Sequence, residues 1–281
     1  YPDSAHFIYE LLQNADDAGA TNVEIYLAEE YLIFKHNGIE RFTVSDVADD
    51  GNDNKPKGHI NAITGIGFTT KGGELSVQNK IGKFGVGFKA VFQYTNRPEI
   101  YDDIFRFSLE NYIIPTLIIG DHPLRKCGET LFLFPFKQPM KAYEEIYSKL
   151  KNMDNPILFL NCIQKVTWQI LGDNEEFTYN KSVQRSFNKR DIVCELIKLQ
   201  NVTSSRCIWM FTKKVTINNG DHNISVGYYL NEDGHINTVI RPPIHCFFPT
   251  KEKLDLCIIS HAPFLLTDSR QNIKDNEVVN K

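Results

Sequence analysis

The chain has 281 residues, 42% hydrophobic and 23% charged, enough for one large or two ordinary domains of soluble, globular composition. Its net charge of −4 and pI near 6.1 argue against a general nucleic-acid-binding surface and leave only a local basic groove open. Apolar runs such as Ile157-Leu158-Phe159-Leu160 are too short to cross a bilayer, and no signal-peptide pattern opens the chain.

The first element expected is a helix around Glu10-Leu11-Leu12-Gln13-Asn14-Ala15-Asp16-Asp17-Ala18. Glu10, Asn14 and Asp17 are spaced i, i+4 and i+7 and so share one face, while Phe7, Leu11, Ala15 and Ala18 line a neighbouring apolar one. Asp3 or Ser4 can cap its start, and Gly19 can end it in a left-handed conformation. A carboxylate, an amide and a second carboxylate in line suit a metal–phosphate site with a base beside it. The alternative is an amphipathic helix with a solvated polar face.

Next, Val23-Glu24-Ile25-Tyr26-Leu27 alternates as a half-buried strand, and Tyr31-Leu32-Ile33-Phe34-Lys35 forms the second arm of a hairpin. That arm runs into the turn His36-Asn37-Gly38, and Thr43 stands three residues before Asp46 as a cap for a short helix. Residues 49–57 read as a loop. Eight of the 17 glycines fall within residues 58–87, a density suited to a segment whose amides approach a ligand. It closes in Gly82-Lys83-Phe84-Gly85-Val86-Gly87, followed by the helical pattern Phe88-Lys89-Ala90-Val91-Phe92. Glycines before a helix start leave N–H groups and a positive dipole end for phosphate. The pattern is neither a Walker A loop nor a dinucleotide fingerprint.

Ile104-Phe105-Arg106-Phe107 and Thr130-Leu131-Phe132-Leu133-Phe134 read as strands, with a helix near residues 142–151. Pro135 and Pro139 suggest a boundary at about residues 136–155, dividing the chain into 1–150 and 151–281. Beyond it we expect strands at 166–171, 208–212, 224–230 and 256–260, with one helix near 189–199. The six cysteines show no CxxC pair and read as reduced thiols of a cytosolic protein. His245, Cys246, Cys257 and His261 lack the close ligand pairs of a zinc site and read as ordinary strand residues. The opening without methionine and the polar close at Lys281 suggest a piece of a larger protein.

Together these pieces resemble the Bergerat-fold ATPases, the superfamily of gyrase, the ninety-kilodalton heat-shock chaperone, histidine kinases and MutL. Within it the likeness is greatest to the sacsin-type, chaperone-like branch. Glu10-Leu-Leu-Gln-Asn14-Ala-Asp-Asp17-Ala matches the N box, and Ile81-Gly-Lys-Phe-Gly-Val-Gly-Phe-Lys-Ala-Val-Phe92 the second glycine box. Ile63-Thr-Gly-Ile-Gly-Phe-Thr-Thr-Lys71 looks like the lid, and Thr130 stands where the third box has its threonine. Ala262-Pro-Phe-Leu-Leu-Thr-Asp-Ser-Arg270 looks like the segment after the ATPase that ends in an arginine. The first glycine box departs from the family: His36-Asn37-Gly38-Ile39-Glu40 stands where Asp-x-Gly-x-Gly is usual, so base recognition falls to a neutral histidine nitrogen, to Asn37, or to water.

The resemblance implies an α+β protein: a mixed, mainly antiparallel sheet covered by helices in a sandwich over 1–150, then a second, β-rich α/β region over 151–281 that carries Arg270. It implies a magnesium-dependent ATPase, with Glu10 as general base, Asn14 as magnesium ligand and Asp17 orienting the base or binding through water. His36, Asn37, Gly38 and Thr130 would lie near the adenine. Gly82, Lys83, Phe84, Gly85, Val86, Gly87 and Phe88 would hold the phosphates, with Lys71, Lys83 or Lys89 balancing their charge and Arg270 reaching the γ-phosphate. The implied partners are ATP and ADP, further domains of the same cytoplasmic polypeptide, and a second copy in an ATP-dependent homodimer. The alternative is a nucleotide-binding or interaction module with weak or no catalysis.

Overall fold

A computed structural model describes residues 6–44, 58–64, 88–217, 220–267 and 272–274. Helix α1 (Phe7–Asp17) leads into the antiparallel pair β1 (Asn22–Leu27) and β2 (Tyr31–His36). β1 alternates as its sequence requires, sending Val23, Ile25 and Leu27 inward. Gly19, at φ +74°, turns the chain from α1 toward β1. A short helix, α2 (His59–Thr64), is capped by Thr43: its carbonyl accepts from Ile60 N–H at 3.1 Å, its hydroxyl from His59 N–H at 3.3 Å. The helix expected between Thr43 and α2 lies outside the described residues, as do Asp3 and Ser4.

A 3₁₀ helix (Phe88–Gln93) precedes β3 (Glu99–Tyr101), β4 (Arg106–Glu110) and β5 (Ile114–Leu117); β6 (Thr130–Pro135) follows. Helix α3 (Pro139–Lys151) starts on a proline, ends among lysines, and buries the stripe Ala142, Ile146 and Leu150. The remaining strands are β7 (Lys165–Ile170), β8 (Glu176–Lys189), β9 (Ile192–Gln200), β10 (Ser205–Ile217), β11 (Gly220–Leu230), β12 (Pro243–Cys246), β13 (Phe248–Lys253) and β14 (Ile259–His261).

All these strands belong to one sheet of 14, ordered β13-β12-β14-β11-β10-β9-β8-β7-β1-β2-β6-β3-β4-β5. The expected helix-covered α/β sandwich is therefore corrected: the molecule is mostly β, a single large mixed sheet with few helices. Its continuity comes from the parallel pairing of β1 with β7, in register from Asn22↔Lys165 to Leu27↔Ile170. That pairing joins the long antiparallel ladder β7–β11 to the first hairpin. The helix expected near 189–199 is also overturned. Those residues are the end of β8, a turn with Arg190 at φ 59°, and most of β9. Ile197 and Leu199 are buried two apart, the strand period rather than the helical one.

The main core lies between the inner face of β1, β2, β6 and β7 and helices α1 and α3, with Trp168, Phe34, Phe134 and Leu11 fully enclosed. A second cluster, with Leu158, Ile197, Ile208, Met210 and Ile259, packs on one face of β9–β11. Among the described residues, no helix is long and apolar enough to cross a membrane.

Candidate functional site

Helix α1 is not an amphipathic surface helix. Every residue from Phe7 to Asp16 is buried, Glu10 at 7% exposure and Asn14 at 8% included. Its apolar side rests on the sheet. Tyr9 is covered by stacking on Phe248 at 4.3 Å and by the Lys149 ammonium 4.4 Å from its ring centre. The solvated-face reading is thereby excluded. Burying polar side chains in this way is costly unless each has a purpose.

Asp16 has an identifiable one. Its carboxylate accepts the backbone N–H groups of Asn161, Cys162 and Ile163 at 2.8, 2.7 and 2.9 Å. The helix is thus clamped to the segment that enters β7. The nearby Lys181 ammonium donates to the Leu160 carbonyl, and burial holds its pKa below the usual lysine value.

At the other polar end, a narrow, open-mouthed cleft lies between α1, the end of β2 and the start of β6. Asn14, His36, Arg41, Phe42, Thr130 and Phe132 are among the side chains that line it. Asn14 lines the cleft and makes no side-chain hydrogen bond to the described residues. Thr130, only 1% exposed, has a hydroxyl oxygen with no hydrogen-bond partner among them.

His36 is fully enclosed, and desolvation depresses its pKa to about 3, with Arg41 adding to the effect. It is neutral at any physiological pH. Its Nδ1 accepts the Gly38 N–H at 3.0 Å, so the single ring proton sits on Nε2. Gly38 is required there: a Cβ would come within 2.8 Å of that nitrogen and 2.9 Å of the Ala18 carbonyl oxygen. The same carbonyl accepts Ile39 N–H at 2.8 Å, which pins the turn after β2 to the end of α1.

Asn37 is committed elsewhere. Its side-chain oxygen accepts from Thr21 and Asn22 N–H, both at 2.9 Å, and its amide nitrogen donates to the Thr21 hydroxyl. Phe88 is a core residue packed 5.9 Å from Phe132, and Lys89 on the 3₁₀ helix and Asp17 at the end of α1 are both half-buried. Lys71, Gly82, Lys83, Phe84, Gly85, Val86, Gly87 and Arg270 lie outside the described residues.

The cleft wall that sequence reasoning missed centres on Arg41. Its guanidinium bonds the Gly38 carbonyl, the Gly128 carbonyl at 2.9 Å and Asp103 at 3.1 Å. Arg125 joins Asp103 and Asp121, and its hydrogen bond holds the Asp121 pKa down at about 2. The available signal was Asp102-Asp103, a pair of adjacent carboxylates just before strand β4, of which Asp102 is buried and Asp103 exposed. Asp102 accepts Phe42 N–H at 2.7 Å and so fixes the segment that forms the cleft rim.

At the far end of the sheet, His245 and His261 stand opposite each other in the parallel pair β12–β14. Cys246 donates to the Phe264 carbonyl and Cys257 to the Thr238 carbonyl, and among the described residues no group of three or more His, Cys, Asp and Glu can hold a metal. All six cysteines are free thiols.

The family model of the Sacsin domain matches residues 1–108. Over its whole length the chain is similar to the protein NO VEIN of Arabidopsis thaliana, 25% identical over 317 aligned positions, and it spans 11% of that relative's length. Together the two findings support a sacsin-like family.

Proposed function

Proceeding from a sacsin-like family, we propose that the cleft binds ATP with magnesium and that the chain hydrolyses it slowly as a conformational switch of a larger, chaperone-like cytosolic protein. The observation that carries this reading is the buried, unpartnered Thr130 hydroxyl at a cleft shared with the side chain of Asn14. A buried hydroxyl without a partner costs stability, and a ligand group that pairs with it recovers that cost. Thr130 can accept from the amino group of a base directly or through water.

Asn14 fits magnesium, which takes few protein ligands and accepts an amide oxygen beside phosphate oxygens. The bound ion would neutralise phosphate charge; the remaining work falls to the chain. Glu10, one turn before Asn14 on the same helix, is assigned as the base that takes a proton from the attacking water. Asp17 is assigned to orient it. The phosphate roles of the 82–87 glycine loop, of Lys71, Lys83 and Lys89, and of Arg270 rest on sequence alone, as does closure with a second copy. In this reading residues 1–150 hold the nucleotide and 151–281 form the responding region. The histidine that replaces the usual carboxylate favours a second reading, in which nucleotide binds but turnover is weak or absent.

The test is calorimetry of ATP, ADP and GTP with and without magnesium. Asn14→Ala should abolish the magnesium dependence, and Thr130→Val, which keeps the side-chain shape, should weaken ATP by about fivefold. Unchanged affinity in both variants overturns the site.

A further inference from the structure

We infer that the outer face of β8–β11 binds single-stranded nucleic acid. This surface lies on the side of the ladder opposite the second hydrophobic cluster, and it plays no part in the nucleotide reading above. Register defines it. Arg185, Leu196, Trp209 and Tyr228 stand opposite one another across the four strands, as do Phe187, Cys194, Phe211 and Val226, two residues further on. Directly opposed residues of an antiparallel ladder share a face, and so do residues two apart along a strand. The inward residues are Ile197, Leu199, Ile208, Met210 and Tyr229.

The outward rings form a connected row. Phe187 meets Trp209 at 6.0 Å between centroids, Trp209 meets Phe211 at 6.4 Å, and Phe211 meets Tyr228 at 6.4 Å. Two of them are open to solvent, Phe187 at 50% exposure and Phe211 at 37%, while Trp209 and Tyr228 are half-buried between them. Aromatic rings on a solvent-facing sheet are poorly explained by folding, since their burial is what makes them stabilising.

The charge around the rings selects the occupant. Arg185 lies in the ring rows, Lys189 and Lys213 in the row beyond them, and Lys198 in the row before. None of these four rows contains a carboxylate. Lys213 is paired with Asp191 of the β8–β9 turn at 2.7 Å, whereas Arg185, Lys189 and Lys198 have no ion-pair partner among the described residues. A second copy of the chain would set cations against cations. A polyanion with flat apolar groups satisfies both features at once, and single strands supply phosphates for the cations and bases for the rings. The overall negative charge of the chain does not oppose this, because the surface is local.

The experiment uses the whole chain and fluorescein-labelled oligouridylate and oligothymidylate of about 15 nucleotides, a length matched to such surfaces. Anisotropy should show saturable binding that weakens with salt. Phe187→Ala and Phe211→Ala should each lower affinity about fivefold or more. Arg185→Glu with Lys189→Glu should lower it further and flatten the salt dependence. Both phenylalanines are exposed, and circular dichroism checks that the fold survives their removal. Trp209 emission should be quenched on binding, since the other tryptophan, Trp168, is fully buried. Absence of binding overturns the inference, and so does equal affinity for a duplex. Affinity unchanged by the ring truncations would reduce the face to a nonspecific cationic patch and also overturn it. A dimer dissolved by Phe211→Ala would assign the face to a second copy instead.

Discussion

Acid should unfold this protein earlier than its carboxylates require, through His245 and His261. Both rings are buried, Nδ1 of His245 and both ring nitrogens of His261 make no well-formed hydrogen bond among the described residues, and the backbone groups of Pro243 and Ser260 beside His245 and of Asn223 beside His261 only partly offset the desolvation. Desolvation depresses each pKa to about 4 from an ordinary 6.5, and for His261 the neighbouring His245 adds to the effect. Above pH 6.5 the rings are neutral in folded and unfolded chains alike, so they contribute no pH dependence. As pH falls below 6.5 the unfolded chain takes up protons that the folded chain refuses, and stability is lost until about pH 4. At pH 5 a shift of this size costs about 2 kcal/mol per ring, approaching about 3 kcal/mol below pH 4. The measurement is the urea midpoint from pH 7.5 to 4.5 in wild type and in His261→Phe. A phenyl ring keeps the stacking on Phe159 at 4.4 Å and removes the titration. The variant should lose about 2 kcal/mol less than wild type between pH 7 and pH 5, whatever its stability at pH 7. Parallel pH profiles for wild type, His261→Phe and His245→Leu would refute the argument. His36, whose pKa is depressed to about 3, loses stability in the same window but does so equally in wild type and variants, so the comparison between them isolates the two rings. Asp121, whose pKa is depressed to about 2, loses its contribution only below it.

Two further outcomes follow from α1. Asp16→Asn retains the shape but weakens the acceptor of three backbone N–H groups; it should cost about 2–3 kcal/mol and speed amide exchange at Asn161, Cys162 and Ile163. Slow exchange at those amides in the variant would show that the clamp lies elsewhere. Glu10→Ala should abolish phosphate release while leaving ATP affinity nearly intact, because a base acts only in the transition state. Normal turnover in this variant would remove Glu10 from the proposed mechanism.

The elements around the cleft were legible because they are local. The spacing of Glu10, Asn14 and Asp17 on one helix, and the turn after β2, are set by neighbours within a few residues. What covers them is not local. On another side of α1, Asp16 is held by the amides at 161–163 and Tyr9 by the ring of Phe248, positions no periodicity in the helix can reveal. The sheet was misjudged for a similar reason. Short apolar runs at 208–212 and 224–230 marked strands, but their true lengths of 13 and 11 residues include polar stretches held only by the neighbouring ladder. At 189–199 a charged turn and a mixed pattern mimicked a helix, and pairing with β8 and β10 decided otherwise. The parallel register of β1 with β7 joins residues more than a hundred positions apart, beyond the reach of any local pattern.

The tautomer of His36 inverts the hydrogen-bonding sign of the cleft. A carboxylate at this place could only receive a proton; the imidazole, its Nδ1 held by Gly38 and its second proton excluded by burial, can only present one. Whatever edge a base turns toward this ring must therefore carry a lone pair, such as a carbonyl oxygen or an unprotonated ring nitrogen. An exocyclic amino group would confront it donor to donor. If the cleft takes a nucleotide as proposed, the position would discriminate between purines by which edge they can offer, and would do so without a charge that salt could screen.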